Sequence, residues 1–321
     1  AGRVVVGDTA IAIAGGRPRG TLYGVYTFLE DCLGVRFLAP DHTHVPRMAQ
    51  DGVLRPMDKH FSPPFSLRFY GSGEIHRERV YAARMRANGS FGDVEARLGG
   101  KSPIEVIGHS FSRYVPWATY GKTPPEYFNE TNGKRPTETV SDHYGPGVQL
   151  CTTNPDGKRP ITEGVLQHLK ERPWRGHIAV SQTDGYSKCT CAECKTLDDA
   201  AGSHMGSLLA LVNDVADVVA QDYPDVLVGT LSYVYSQKTP QGISPRPNVQ
   251  IQLCSYETCL VHPMEDPACP RNVAFHRDLL DWGQITENIS VWCYVANFSN
   301  NYAPLPLLNI VGPNIRLFAR N

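Results

Sequence analysis

Two acidic residues, Asp184 and Glu257, each close a strand-like run and open a loop, in Ser181-Gln182-Thr183-Asp184-Gly185 and Ser255-Tyr256-Glu257. Carboxyl groups placed this way suit acid–base work on a bound substrate. Cleaving a glycosidic bond needs a carboxylic acid to protonate the leaving oxygen. It also needs a group that stabilises the oxocarbenium-like centre: a carboxylate, an activated water or the substrate's own acetamide. Corresponding strand-end positions carry His109, Gln182, Tyr233, Tyr256, Trp292 and Tyr294, with Asn297 just beyond. Aromatic faces stack on the apolar faces of sugars while amides and carboxylates hold hydroxyls, so this mixture fits a carbohydrate site. Each residue also has a plainer reading. Asp184-Gly185 is a common turn, Glu257 can pair with a neighbouring base, His109 can be satisfied within its own loop, and strand aromatics are as often core. Two acids on different strands, flanked by aromatics, tip the balance towards chemistry.

The sharpest local pattern is Cys189-Thr190-Cys191-Ala192-Glu193-Cys194. Three thiolates this close supply most of a tetrahedral zinc site, with Cys259, Cys269 or His262 as candidates for the fourth ligand. In an oxidising compartment a disulfide within the loop is the alternative. Either would brace the loop after Asp184, which makes the cluster structural and leaves the reaction with no required cofactor. No histidine is placed to serve as base for a cysteine nucleophile. The remaining cysteines of the nine are scattered, several in strand-like runs, where Cys behaves as a small apolar residue.

These groups need a scaffold, and the chain supplies a βα rhythm. Val4–Val6 and Ile11–Ala14 read as strands, Thr21–Leu33 as a helix with Gly34 as its stop, and Val35–Leu38 as a further strand. A Pro-rich connection then sets a boundary near residue 60, giving a small α/β domain over 1–60 and a second domain over 61–321. Strands are expected at Ser66–Tyr70, Ile104–Gly108, Val148–Thr152, Ile178–Thr183, Leu227–Tyr233, Val249–Ser255 and Ser290–Val295. Helices are expected at Ile75–Asn88, Ile161–Glu171, Ser203–Asp222 and Val273–Trp282. Strands alternating with helices imply a parallel sheet with right-handed crossovers. The fold class is α/β, and seven strands in this order suit a (β/α)8 TIM-like barrel cut before its last strand. A doubly wound sheet is the rival, but its Gly-rich phosphate fingerprint is missing. Catalytic groups of such barrels gather where strands end and βα loops begin, which is where the candidates fall.

The bulk numbers narrow the function classes. In 321 residues the formal net charge is −1, without the basic stripe that nucleic-acid or membrane-surface partners leave. No apolar run approaches the roughly 20 residues that span a bilayer. The chain opens within a strand and lacks an initiator Met, so it reads as a fragment of a longer protein.

Longer stretches resemble known enzymes. Gly15–Glu30 and Leu33–Pro40 are similar to the α/β domain that precedes the barrel in hexosaminidase-like and glucuronidase-like enzymes. Val180–Gly185, the Cys189–Cys194 cluster, Ser255–Cys259 with His262-Pro263, and Trp292 through Asn314 resemble glycoside hydrolase family 163, endo-β-N-acetylglucosaminidases of complex N-glycans. That resemblance implies retention of configuration with the substrate N-acetyl group as internal nucleophile. One carboxyl, carried over to Glu257, is then acid and base, and the other, carried over to Asp184, orients the acetamide. It also implies an N-glycan or another N-acetylglucosamine-containing partner, and a periplasmic, cell-surface or secreted location. The family often has Trp-Asp-Tyr where this chain has Trp292-Cys293-Tyr294, which bears on specificity. Two other readings stand beside the endoglycosidase: a non-catalytic carbohydrate-binding protein on a degenerate barrel, and an exo-acting glucuronidase-like hydrolase.

Overall fold

Val4 and Val6 are buried between more exposed neighbours, the period-two signature of a strand with one covered face. The computed structural model describes residues 1–47, 52–71, 73–104, 106–121, 125–138, 144, 147–300 and 302–321. It divides into two compact units, Ala1–Val106 and Ile107–Asn321. In the first, β1 (Gly2–Val6) pairs antiparallel with β2 (Ile11–Gly15) on one side and β5 (Met57–Phe61) on the other. Helix α1 (Gly20–Asp31) starts hard against the end of β2. A Cβ on Gly15 would lie 2.1 Å from the Gly20 carbonyl carbon, so the approach requires glycine. The chain turns out of α1 through Gly34, whose φ is +69°.

The rest of this unit is irregular. The expected strand Val35–Leu38 shortens to β3 (Arg36–Phe37), paired with β4 (Thr43–His44). The helix expected over 75–88 breaks into α2 (Gly73–Arg77) and α3 (Arg79–Arg84), because Glu78 is extended. Ser66–Tyr70 is no strand: Arg68 exchanges hydrogen bonds with Asn88 (2.7 Å to Oδ1, 3.0 Å from its amide) instead of joining a sheet. The compact unit continues past residue 60, since β5 belongs to its sheet.

The second unit is built on four parallel strands in chain order, β6 (His177–Ala179), β7 (Leu227–Ser232), β8 (Val249–Cys254) and β9 (Ile289–Trp292). Each lies within a run expected to be a strand, or within one residue of it. Before them come the short helices α4 (Phe111–Tyr114) and α5 (Trp117–Tyr120), then α6 (Pro155–Glu171). Helix α6 starts six residues before its expected position, as Asn154 Oδ1 accepts the Gly157 amide at 2.8 Å and Pro155 holds the first turn. Between β6 and β7 lie α7 (Ala192–Ala201) and α8 (Met205–Asp222); α9 (Pro270–Gly283) joins β8 to β9, and α10 (Leu308–Arg320) follows.

Helix α8 presents Leu208, Leu209, Val212, Val215 and Val219 to the core, each at most 1% exposed. Burying each such side chain contributes about 1.5–3 kcal/mol, which fixes the helix against the sheet. The connection from β7 to β8 contains no α-helix, and α8 covers that region too. Asn213 and Asn248 carry the pins: Asn213 Nδ2 donates to Ser244 O at 3.0 Å, and Asn248 Nδ2 to Ala216 O at 2.9 Å.

The strands expected at Ile104–Gly108, which includes a residue outside the described ones, and at Val148–Thr152 form no ladder among the described residues. Ile107 is held at both its N–H and its carbonyl by the buried side chain of Gln252, at 3.3 and 2.9 Å. Leu150 makes only an isolated bridge with Phe128. What stands is a mixed α/β fold with a four-stranded parallel sheet and two antiparallel ones. Among the described residues no helix is long and apolar enough to cross a membrane.

Candidate functional site

The chain leaves β6 buried and surfaces at Asp184. Ser181, Gln182 and Thr183 are at most 3% exposed, whereas the Asp184 side chain is 72% exposed. Thr183 is locked by three bonds to the segment before α6: its amide donates to Gln149 Oε1 (3.0 Å), its carbonyl accepts from Gln149 Nε2 (2.7 Å), and its hydroxyl donates to Val148 O (3.0 Å). Gly185, with φ +124°, then turns the chain away. Asp184 is thus presented from a fixed base.

The groups facing it come from other elements. Tyr233, at the end of β7, donates its hydroxyl to Asp184 Oδ1 at 3.0 Å. Burial first, and then the Asp184 carboxylate, push the Tyr233 phenol well above its ordinary pKa, so it stays a neutral donor. His109 Nδ1 lies 2.7 Å from Gln182 O; a carbonyl only accepts, so Nδ1 carries the hydrogen. That leaves His109 Nε2 facing Asp184 Oδ1 at 3.8 Å.

From this point an aromatic chain runs along the strand ends. Ring centroids are 5.8 Å apart for His109–Tyr233 and for Tyr233–Tyr256, 5.4 Å for Tyr256–Tyr294, and 5.9 Å for Tyr294–Phe298, all tilted or edge-on. Trp292 flanks Tyr294 at 6.4 Å. Burial raises the Tyr294 phenol, with smaller contributions from Cys254 and Asp184. The strip mixes ring faces and edges with neutral O–H donors, a surface suited to a hydroxylated ring.

Glu257 sits exposed in the loop after β8, where Thr258 folds back on Ser255 through its amide (3.3 Å) and hydroxyl (2.8 Å). It shares a neighbour with Asp184. Tyr186, 63% exposed, has its phenol raised by partial desolvation, then by Tyr256, Glu257 and Asp184. Tyr186 is not among the residues expected from strand-end position; its place two residues after Asp184, across a glycine, is the signal that marks it.

Two expected ligand-binding residues are spent on the scaffold. Gln182 is fully buried and donates inward to Leu231 O (3.2 Å) and Ser236 Oγ (2.8 Å), tying β6 to the end of β7. Asn297 Oδ1 accepts the amides of Ser299 and Asn300, both at 3.2 Å, and shapes its own turn.

The cysteines gather differently from expectation. Cys189, Cys191 and Cys194 are joined by Cys151, all four buried and with sulfurs within 4.8 Å of one another, a set that can hold a metal ion. Cys151 Sγ lies 3.7 Å from Cys191 Sγ and 3.9 Å from Cys194 Sγ. Hydrogen bonds from the Cys189 and Cys194 thiols pull Cys151 far below the ordinary thiol range and push those two up. Cys151 lies in the expected strand Val148–Thr152, where a cysteine passes for a small apolar residue; only the tertiary fold shows it as the fourth thiol. Cys259, His262 and Cys269, the expected fourth ligands, form a group of their own, with Cys259 Sγ 3.4 Å from His262 Nδ1. There burial opposes ionisation of Cys259, but the Val261 and His262 amides hold its pKa down to about 7.

A family model described as Domain of unknown function (DUF4838) matches residues 37–321. The chain belongs to that family. No curated protein and no solved structure matches it.

Proposed function

We propose that this DUF4838 chain is the catalytic part of a glycoside hydrolase, a retaining endo-β-N-acetylglucosaminidase acting on N-glycans. One observation carries the reading: the Asp184 carboxylate, presented from a rigid strand end, is held by Tyr233 and faced by His109, at the head of an aromatic strip that includes Tyr256, the residue before Glu257. The sequential, switch-free order β6-β7-β8-β9 supports a barrel-type sheet, in which strand ends form the active-site rim. The family resemblance of the Val180–Gly185 and Ser255–Cys259 motifs supports the substrate class.

In this mechanism Asp184 accepts the N–H of the substrate acetamide and turns its carbonyl oxygen towards the anomeric carbon. Glu257, protonated, gives its proton to the leaving oxygen as the glycosidic C–O bond breaks and the acetamide oxygen bonds to the anomeric carbon, producing an oxazolinium ion whose N–H Asp184 holds. Glu257, now a carboxylate, takes a proton from water as that water attacks the anomeric carbon and breaks the oxazolinium C–O bond, and the configuration is retained. No cofactor takes part. We assign the four-cysteine group a zinc ion with a structural role.

Glycan release from an N-glycoprotein, with products identified by mass, tests the proposal. Glu257→Gln is expected to lower turnover by at least about a hundredfold while leaving the fold intact, the usual scale for losing a general acid. Full activity in that variant would remove Glu257 from the mechanism. Binding of N-glycans without hydrolysis would make the chain a lectin-like module instead, and release of single terminal sugars would make it an exo-enzyme.

A further inference from the structure

Resting on the assignment of zinc to the four thiols, we infer that the ion is a clamp that closes the Asp184 loop against the segment before α6. The spacing suits zinc. Ligands about 2.3 Å from a tetrahedral centre lie about 3.8 Å from one another, against about 2.05 Å for a disulfide. The Cys151–Cys191 and Cys151–Cys194 edges, 3.7 and 3.9 Å, bracket the tetrahedral value, and all four sulfurs lie within 4.8 Å of one another. All four cysteines are free and buried.

The surroundings favour thiolates. The Glu130 amide donates to Cys189 Sγ at 3.3 Å, and the Thr153 hydroxyl lies 3.2 Å from Cys194 Sγ. Such outer contacts orient ligating sulfurs. Cys191 is the N-cap of α7 and Cys194 lies in its first turn, where the helix dipole stabilises negative charge. Arg135 lies close enough to Cys151 and Cys189 to offset the double negative charge of a zinc tetrathiolate.

The clamp follows from where the ligands lie in the chain. One stretch, 148–153, grips the loop at both ends. At its start, Val148 and Gln149 hold Thr183 through three hydrogen bonds. At its end, Cys151 joins Cys189, Cys191 and Cys194, which the ion would share. Asp184 and Tyr186 lie between the two grips. Without the ion the start keeps its three hydrogen bonds to Thr183, while the far end loses its metal tie to residue 151 and keeps its hydrogen bonds to residues 130 and 131.

The whole chain, purified without chelator, provides the test. We expect one zinc per chain by elemental analysis, and cobalt(II) in its place to show the visible absorption of a tetrathiolate. Cys151→Ser should shift those bands to shorter wavelength, whereas Cys259→Ser should leave them unchanged. Hydrogen exchange is then followed with zinc bound and after its removal. Amides of 184–191 should exchange at least about tenfold faster once zinc is gone, while those of α8 and β7 hold their protection. Chelation of the unaltered protein keeps the test decisive if Cys151→Ser does not fold. Zinc bound but exchange in 184–191 unchanged would overturn the clamp and leave the zinc assignment standing. Faster exchange over the whole chain would also overturn it, making the ion a requirement of the fold. A chain that takes up neither zinc nor cobalt(II) under reducing conditions would overturn both.

Discussion

Tyr233→Phe isolates the contact on which the proposed chemistry turns. The substitution keeps the ring that meets His109 tilted and Tyr256 edge-on and removes only the hydroxyl, which donates to Asp184 Oδ1 at 3.0 Å. A hydrogen bond to a charged group is worth about 1.5–3 kcal/mol when shielded from water. The Asp184 side chain is 72% exposed, so water replaces part of what is lost and the low end applies, about 1–1.5 kcal/mol. At 1.36 kcal/mol per factor of ten, kcat/KM should fall about five- to tenfold. An oriented acetamide matters most in the transition state, so the loss should lie in kcat with KM little changed. The assay is initial-rate glycan release at several substrate concentrations, paired with urea unfolding, where the change should stay below about 1 kcal/mol. Wild-type kcat in a folded variant would refute the positioning of Asp184 by Tyr233. A loss of stability without loss of kcat would make the bond structural.

Two further outcomes concern the scaffold. Gly229 on β7 has no room for a side chain: a Cβ would meet His177 Nε2 at 2.4 Å and Ile107 Cγ1 at 2.5 Å. Gly229→Ala should therefore cost about 2–3 kcal/mol in urea unfolding, and an unchanged midpoint would show that this interior yields easily. Asp278 on α9 is 8% exposed, and burial raises its pKa above 3.8 despite the hydrogen bond from Gln237 at 3.1 Å. A raised carboxyl pKa costs stability above the folded value, and the cost fades as pH falls below the unfolded one. Asp278→Asn should stabilise the chain near about pH 7 and lose that advantage near about pH 3, measured by denaturation at both. An advantage that persists at low pH would refute the electrostatic cause.

The strands of the parallel sheet were legible because their runs are short, apolar and β-branched, as in Leu227–Ser232 and Val249–Cys254. The same signal marks Ile104–Gly108, where Ile107 joins no ladder among the described residues. Buried backbone needs its polar groups satisfied, and the side chain of Gln252 does for Ile107 what a ladder would have done. Strand β5 went unseen for the opposite reason. Its Met57-Asp-Lys-His-Phe61 is polar between its ends, and pairing with β1 decides its structure. At the site, strand-end position was enough to collect Asp184, His109, Tyr233, Tyr256 and Tyr294. It could not say that Gln182 points inward, because that depends on Ser236, 54 residues away. The fourth thiol lay beyond local reading as well, 40 residues from Cys191.

The covering of the β7–β8 connection by a helix from the preceding crossover limits how this chain can drift over time. Residues 244–248 are stitched to α8 through Asn213, Asp217 and Ala216, with the Arg246–Asp217 pair at 2.9 Å, so an insertion there breaks several bonds at once. Between β9 and α10 the described residues are held less: Phe298 is 67% exposed and Tyr302 99%. Length variation among descendants of this sequence should accumulate beyond β9, beside the far end of the aromatic strip. Under the proposed function, preference for one glycan over another would change there while the sheet and Asp184 stay as they are.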